Sequence, residues 1–331
     1  LILPELAAAS AVGVPQYFTA STPGTFNVQG AQGVVSDVWF SHDRGFYNSA
    51  FDLILSTEMS SAEIRYTTDG SQPTITNGSV YAGPIRISKT STIRAVAVIP
   101  GYLDSEVETH TYIFVSDVVR QSPNGELPGA GWATDGTQGQ SFAYGMDPAI
   151  VNHATWGPLL DDALTAIPTM SIVTDLDNLF YNSSSSATGG IYVNADQHGR
   201  AWERPTSLEL IYPPNPSGDG FPDLVQVSEG TWQLPRDMQG GFQIDCGIRI
   251  RGGYSRSVGN PKHAFRFFFR DEYGDGELDY PLFSSEGAER FSKVDLRTAQ
   301  NYSWSFGNDS SNTMCREVWA RDSQGLSGNP Y

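Results

Sequence analysis

Between residues 244 and 270 the chain alternates apolar and polar positions on either side of a glycine- and serine-rich loop. In Ile244–Arg251, the residues Ile244, Cys246, Ile248 and Ile250 share one face, and Arg249 and Arg251 share the other. In Lys262–Arg270, the residues Lys262, Arg266 and Arg270 fall on one side and His263, Phe265, Phe267 and Phe269 on the opposite side. Period-two alternation with β-branched and aromatic residues predicts a half-buried antiparallel hairpin closed by Gly252–Asn260.

The same pattern recurs in short runs earlier in the chain. Phe51–Thr57, Ala62–Thr68, Val80–Ser88, Thr92–Ile99 and Glu108–Val115 read as strands, separated by turns such as Asp69-Gly70 and Gly83-Pro84. Five to seven short strands in a module spanning 44–116 predict an immunoglobulin-like β-sandwich. Residues 1–43 are rich in Pro, Thr and Gly and read as a linker. Residues 117–166 read as a connector, with an extended loop at Ser122–Gly139 and short helices at Asp147–His153 and Leu159–Ile167. Asp147 before Pro148 is a cap followed by a residue preset for the first helical turn.

From Ile167 the strand pattern returns. Residues 168–175 and 190–194 and Ser207–Pro213 read as strands, Asp175–Phe180 as a helical turn, and Pro213–Gly230 as a surface insertion. Phe291–Arg297 is a further strand. Ser310–Asp322 carries an apolar stripe at Met314, Cys315, Val318 and Trp319, the spacing of an amphipathic helix. The expected fold class is mainly β with some α (α+β): a sandwich, then an antiparallel sheet with a helix over 167–331.

Charge narrows the partners. The chain has 331 residues and a net charge of −17, which disfavours nucleic acid and anionic membrane surfaces. No apolar run reaches the ~18–20 residues of a membrane span. The two cysteines, Cys246 and Cys315, form no CxxC pair, so a thiolate metal cluster is not expected. An exporting context permits a disulfide between them; two separate buried thiols are the alternative. His153, His198 and His263 show no metal-ligand spacing, and Asp271–Asp279 lacks the residue order of a calcium loop and reads as a hairpin turn. No metal ligand is therefore assigned. Hydrolase motifs of the GxSxG or HExxH kind do not stand out.

Against this acidic background, Arg249, Arg251, Arg256, Lys262, Arg266 and Arg270 are six of only 20 Lys and Arg residues, and no acid lies between Asp245 and Asp271. A cationic sheet face beside a glycine loop can hold an anion such as a nucleotide phosphate. The other reading of the spacing is the wet face of a two-sided sheet.

The string RGGYSR…GNPKHAFRFFFRDEYG…LDYPLF resembles the core of the spore-coat CotH kinase family, with its G-x-S-x-R loop, PK pair, aromatic strand and PLF segment. Upstream, IPTMSIVTDLDNLF…GIYVNADQHGRAWERPTSLELIYP is similar to the opening of that domain. AEIRYTTDGSQPT…VYAGPIRIS…STIRAVAV…GYLDSEV…TYIF resembles the C-terminal domain of chitobiase and β-hexosaminidase, where it is an accessory to catalysis. YFTASTPGTFN resembles the closing strand of a lamin-tail-like β-domain. Tyr66, Tyr81 and Tyr102 are candidates for stacking on sugar rings, with sandwich core as the alternative.

The kinase resemblance implies ATP with Mg²⁺ or Mn²⁺, and transfer to Ser or Thr of a surface or coat protein. It implies that Gly252, Gly253, Ser255 and Arg256 approach the phosphates, that Lys262 contacts them, and that Glu317 from the following helix holds Lys262. Glu317 with Arg321 reads more simply as an i,i+4 surface pair. Where the family commonly shows PKKS this chain has PKHA, and the loop reads GGYSR rather than GxSSR. The chain also lacks an initiator Met, ends at SGNPY and shows no catalytic or metal-binding acids of a second lobe. It reads as an internal fragment of an exported, secreted or surface protein, expected to be inactive in transfer by itself. The rival reading is a non-catalytic adhesion or carbohydrate-associated scaffold.

Overall fold

The computed structural model describes residues 17, 30–135, 141–213, 225–228, 231–233, 241–257, 263–283, 288–298 and 316–328. Lys262, Cys315, the side chain of Glu317 and most of the lamin-tail-like stretch lie outside what it describes.

The N-terminal unit is sandwich-like. Strands β1 (Gly45–Phe46), β2 (Glu63–Thr67), β3 (Ser79–Val80), β4 (Ser91–Val98) and β5 (Glu108–Ile113) form a sheet in the order β1-β5-β4-β2-β3. Only the β1–β5 pair is parallel. Two short antiparallel pairs, Trp39–Phe40 with Leu55–Ser56 and Phe51–Leu53 with Ile85–Ile87, supply the opposing apolar side chains. Leu53, Leu55 and Ile87 meet Ile93, Ala95 and Tyr112 in one core. Alternation decides which residues enter it: Ile93, Ala95 and Ala97 point inward, and Arg94 between them points away.

The second sheet is antiparallel throughout, in the order β6 (Thr169–Val173), β7 (Arg204–Ile211), β8 (Phe242–Arg251), β9 (Ala264–Phe268) and β10 (Lys293–Leu296). Its core face carries Leu208, Leu210, Ile244, Cys246, Ile248, Ile250 and Phe267. Cys246 is a buried free thiol. The helix Leu176–Phe180 and the turn after it cover this face, with Leu179, Ile191 and Ala195 packed into the cluster.

One expectation fails and another is met in part. Residues 190–194 form a turn rather than a strand. Their amides bond to the neighbouring helix and to themselves, Ile191 N to Asn178 O, Tyr192 N to Leu179 O and Asn194 N to Gly190 O, so no ladder remains for them to join. The C-terminal helix is observed at Arg316–Leu326, but Val318 and Trp319 of its apolar stripe are exposed. Asp147 does cap the short helix Pro148–Val151, accepting from Ala149 N at 2.8 Å.

The outer face of the second sheet meets the sandwich where β7 runs against β5. Glu209 is fully buried there. It accepts from Thr111 N at 3.0 Å and from Thr111 Oγ1, and Arg44 Nε stands 3.2 Å away as an ion pair. Ser171 Oγ lies 2.8 Å from Thr111 Oγ1. Burial outweighs Thr111 and Arg44 and holds the Glu209 carboxyl above the usual range.

Candidate functional site

The β8–β9 hairpin sets the geometry of the candidate anion site. Its register pairs Ile248 with Phe267, Arg249 with Arg266 and Ile250 with Phe265. The aromatic and β-branched members face the core, so the arginines share the outer face, as the alternation implies. Gly252 opens the turn at φ 127°, a backbone conformation that side chains strain, and a Cβ there would also meet Ser255 Oγ, so the position calls for glycine. A 3₁₀ turn follows at Tyr254–Arg256.

Two of the residues assigned to phosphate are turned toward the protein. Ser255 is buried, and its Oγ donates to Arg251 O at 3.3 Å. Its carbonyl lies 2.7 Å from Nδ1 of buried His263, whose pKa is lowered by burial against the pull of that carbonyl. Arg256 Nη1 donates to Asp196 O at 2.9 Å and to His198 Nδ1 at 3.1 Å. The structure thus brings Gly252, Gly253, Ser255 and Arg256 together; Lys262 and the Glu317 side chain are not described, so their pairing is not placed.

Nor is the outer face a bare field of positive charge. Asp295 on β10 pairs with Arg266 at 2.5 and 2.8 Å and with Arg251 at 2.7 Å. Burial opposes ionisation of Asp295, but the arginines outweigh it and hold the carboxyl below its usual range. Glu203 takes Arg270 in a bidentate pair at 2.9 Å, and Glu272 takes Arg200. Arg249 is the exception. Its Nε and Nη1 are buried without a hydrogen-bond partner among the described residues, and its Cζ lies 5.4 Å from the Phe268 ring centroid. Burial lowers its pKa, and Arg266 and Arg256 add to that while Glu203 opposes it. An unmatched guanidinium beside the glycine turn is a ready donor to an anion. Its place on the face was legible; its lack of a carboxylate partner was not.

On the same face of β8, two residues before Gly247, stands Asp245. Burial pushes its carboxyl up to about 6, against Arg94 and a bond from Ser207. The unfolded value lies near 4. Between these values the folded chain binds the proton more tightly, so stability is greatest at the acid end of the window and falls as pH rises from about 4 to about 6. The expected loss is about 2–3 kcal/mol, and Asp245→Asn removes it. Urea unfolding of both proteins across that window checks this.

The tyrosines proposed for sugar stacking are half-buried. Tyr66, Tyr81 and Tyr102 pack on the sandwich core, Tyr66 and Tyr81 edge to face with centroids 6.5 Å apart. The exposed aromatic of the sandwich is instead Trp39, 64% exposed, which no strand pattern singled out. In Asp271–Asp279 the backbone turns, and no group of three or more His, Cys, Asp or Glu able to hold a metal occurs among the described residues. No helix among them is long and apolar enough to cross a membrane.

Comparison with known proteins adds one assignment. The model of the Fn3-associated family, an immunoglobulin-like type of domain, matches residues 53–112, most of the sandwich. No curated protein matches the chain.

Proposed function

We propose that the second sheet is the small lobe of a CotH-type atypical protein kinase and binds ATP, with the β8–β9 turn over the phosphates. In this reading the protein of which the lobe is part phosphorylates Ser or Thr of a surface or coat protein outside the cell. The observation that carries it is the unmatched Arg249 guanidinium beside a turn that requires glycine at Gly252. A triphosphate supplies the negative charge that the described carboxylates do not, and the amides at Gly252 and Gly253 leave backbone close enough to approach it. Arg249 is thereby added to the residues the resemblance named. Ser255 and Arg256 take part only by exchanging their present bonds to Arg251 O, Asp196 O and His198. Mg²⁺ or Mn²⁺ enters as the counter-ion the nucleotide brings, since the described residues offer it no ligand set. Lys262 contacts the phosphates and Glu317 holds it.

Calorimetric titration of the chain with MgATP, beside a Lys262→Ala version, tests the reading. Binding by the native chain, weakened about tenfold or more by the substitution, is the expected result. Absence of binding by a folded chain hands the case to the second reading, a surface scaffold without catalysis. That reading draws on the engaged state of Ser255 and Arg256, the carboxylate-matched arginines and exposed Trp39.

A further inference from the structure

We propose that the cavity between the two sheets binds a small zwitterion, a free amino acid of the size of glycine or alanine. The cavity measures about 130 Å³ and is lined by Gln72 and Arg94 of the sandwich and by Asp175, Thr206, Asp245 and Tyr273 of the second unit. That is room for several waters or one organic molecule of similar bulk.

Its charges are separated rather than paired. Arg94 is 4% exposed. Nε donates to Thr109 Oγ1 at 3.3 Å and Nη1 to Gly70 O at 3.1 Å, while Nη2 makes no hydrogen bond among the described residues. No carboxylate among them forms an ion pair with Arg94; Asp245, Asp175 and Glu209 act on it only through space. Asp245 accepts from Gln243 at 3.2 Å and from Ser207, both neutral, and has no cation in contact. A buried guanidinium and a half-buried carboxylate therefore face one cavity without touching. Each is costly to keep uncompensated.

A ligand with a carboxylate at one end and an ammonium at the other satisfies both. Its carboxylate meets Arg94, and its ammonium meets Asp245 with Asp175 beside it. Glu272, also on the wall, is committed to Arg200 and adds no free charge. An anion alone would face Asp175 and Asp245; a metal ion finds no ligand group here among the described residues. The ligand touches both units, so its binding ties the sandwich to the second sheet.

The test is calorimetry and thermal unfolding of the whole chain at neutral pH with glycine, alanine, acetate and methylammonium. Glycine or alanine should release or absorb heat on binding and raise the melting temperature. Acetate and methylammonium should each bind about tenfold more weakly or worse. Asp245→Asn, nearly isosteric and free of the charge, should abolish the zwitterion response while leaving the ATP response of the Gly252 turn unchanged. No response to any zwitterion, acetate matching glycine, or an undiminished response in Asp245→Asn overturns the proposal. A silent ATP titration would leave it standing, since the two sites share no residue.

Discussion

Replacing Glu209 with alanine should lower the free energy of unfolding by roughly 3–5 kcal/mol, the cost of breaking a buried charged pair from one side. The carboxylate has no exposure and joins two units that are remote in sequence, with Thr111 and Arg44 on one side and β7 on the other. Truncation leaves Thr111 N without its acceptor, and among the described residues Arg44 keeps Glu108 at 3.9 Å and the Thr109 carbonyl at 3.4 Å. Glu209→Gln should cost much less. It retains an acceptor for Thr111 and gives up a charge that burial already disfavours. Equilibrium denaturation of the three proteins checks both statements. A second unfolding step in Glu209→Ala alone would mark the sandwich and the second sheet coming apart separately. Equal stability of the alanine and glutamine versions would mean that the joint rests on something other than this carboxylate.

Phe267→Ala should be about as severe, again roughly 3–5 kcal/mol, for a different reason. Phe267 is fully buried at the centre of the second sheet, opposite Ile248 on β8 and Val294 on β10. Removing the ring opens a cavity that strands fixed on both sides cannot close. Phe267→Leu keeps most of the volume and should lose distinctly less. Because the same pairing holds Arg249 opposite Arg266, the alanine version should also lose its response to nucleotide. Chemical unfolding measures the first effect, and titration at a temperature where the variant is still folded measures the second.

The inward face of β8–β9 was legible because alternation is a local property: the four apolar positions of β8 read from the sequence are all buried. What covers the polar face was not legible. Glu209 sits in an ordinary alternating run and reads as a surface acid, yet Thr111, 98 residues earlier, lies directly over it. Likewise the arginines read as a cationic patch because their partners, Glu203 and Asp295, are 67 and 29 residues away. The misread strand at 190–194 has the same origin in reverse. Ile191 is indeed buried and Tyr192 partly so, but against the helix Leu176–Phe180 through turn bonds rather than in a ladder. Trp39 escaped notice because a strand of only two residues, Trp39–Phe40, has no period to reveal which of them faces out.

The central claim is that nucleotide phosphates lie at the Gly252 turn. It is tested most directly with an acyl-phosphate derivative of ATP, which acylates a lysine held against the phosphates. The chain has three lysines, Lys89, Lys262 and Lys293. Peptide mass spectrometry should find the label on Lys262 and find it displaced by excess ATP, with Lys89 and Lys293 unmodified or labelled without regard to ATP. Equal, ATP-insensitive labelling of all three would contradict the claim and leave the second sheet as a scaffold.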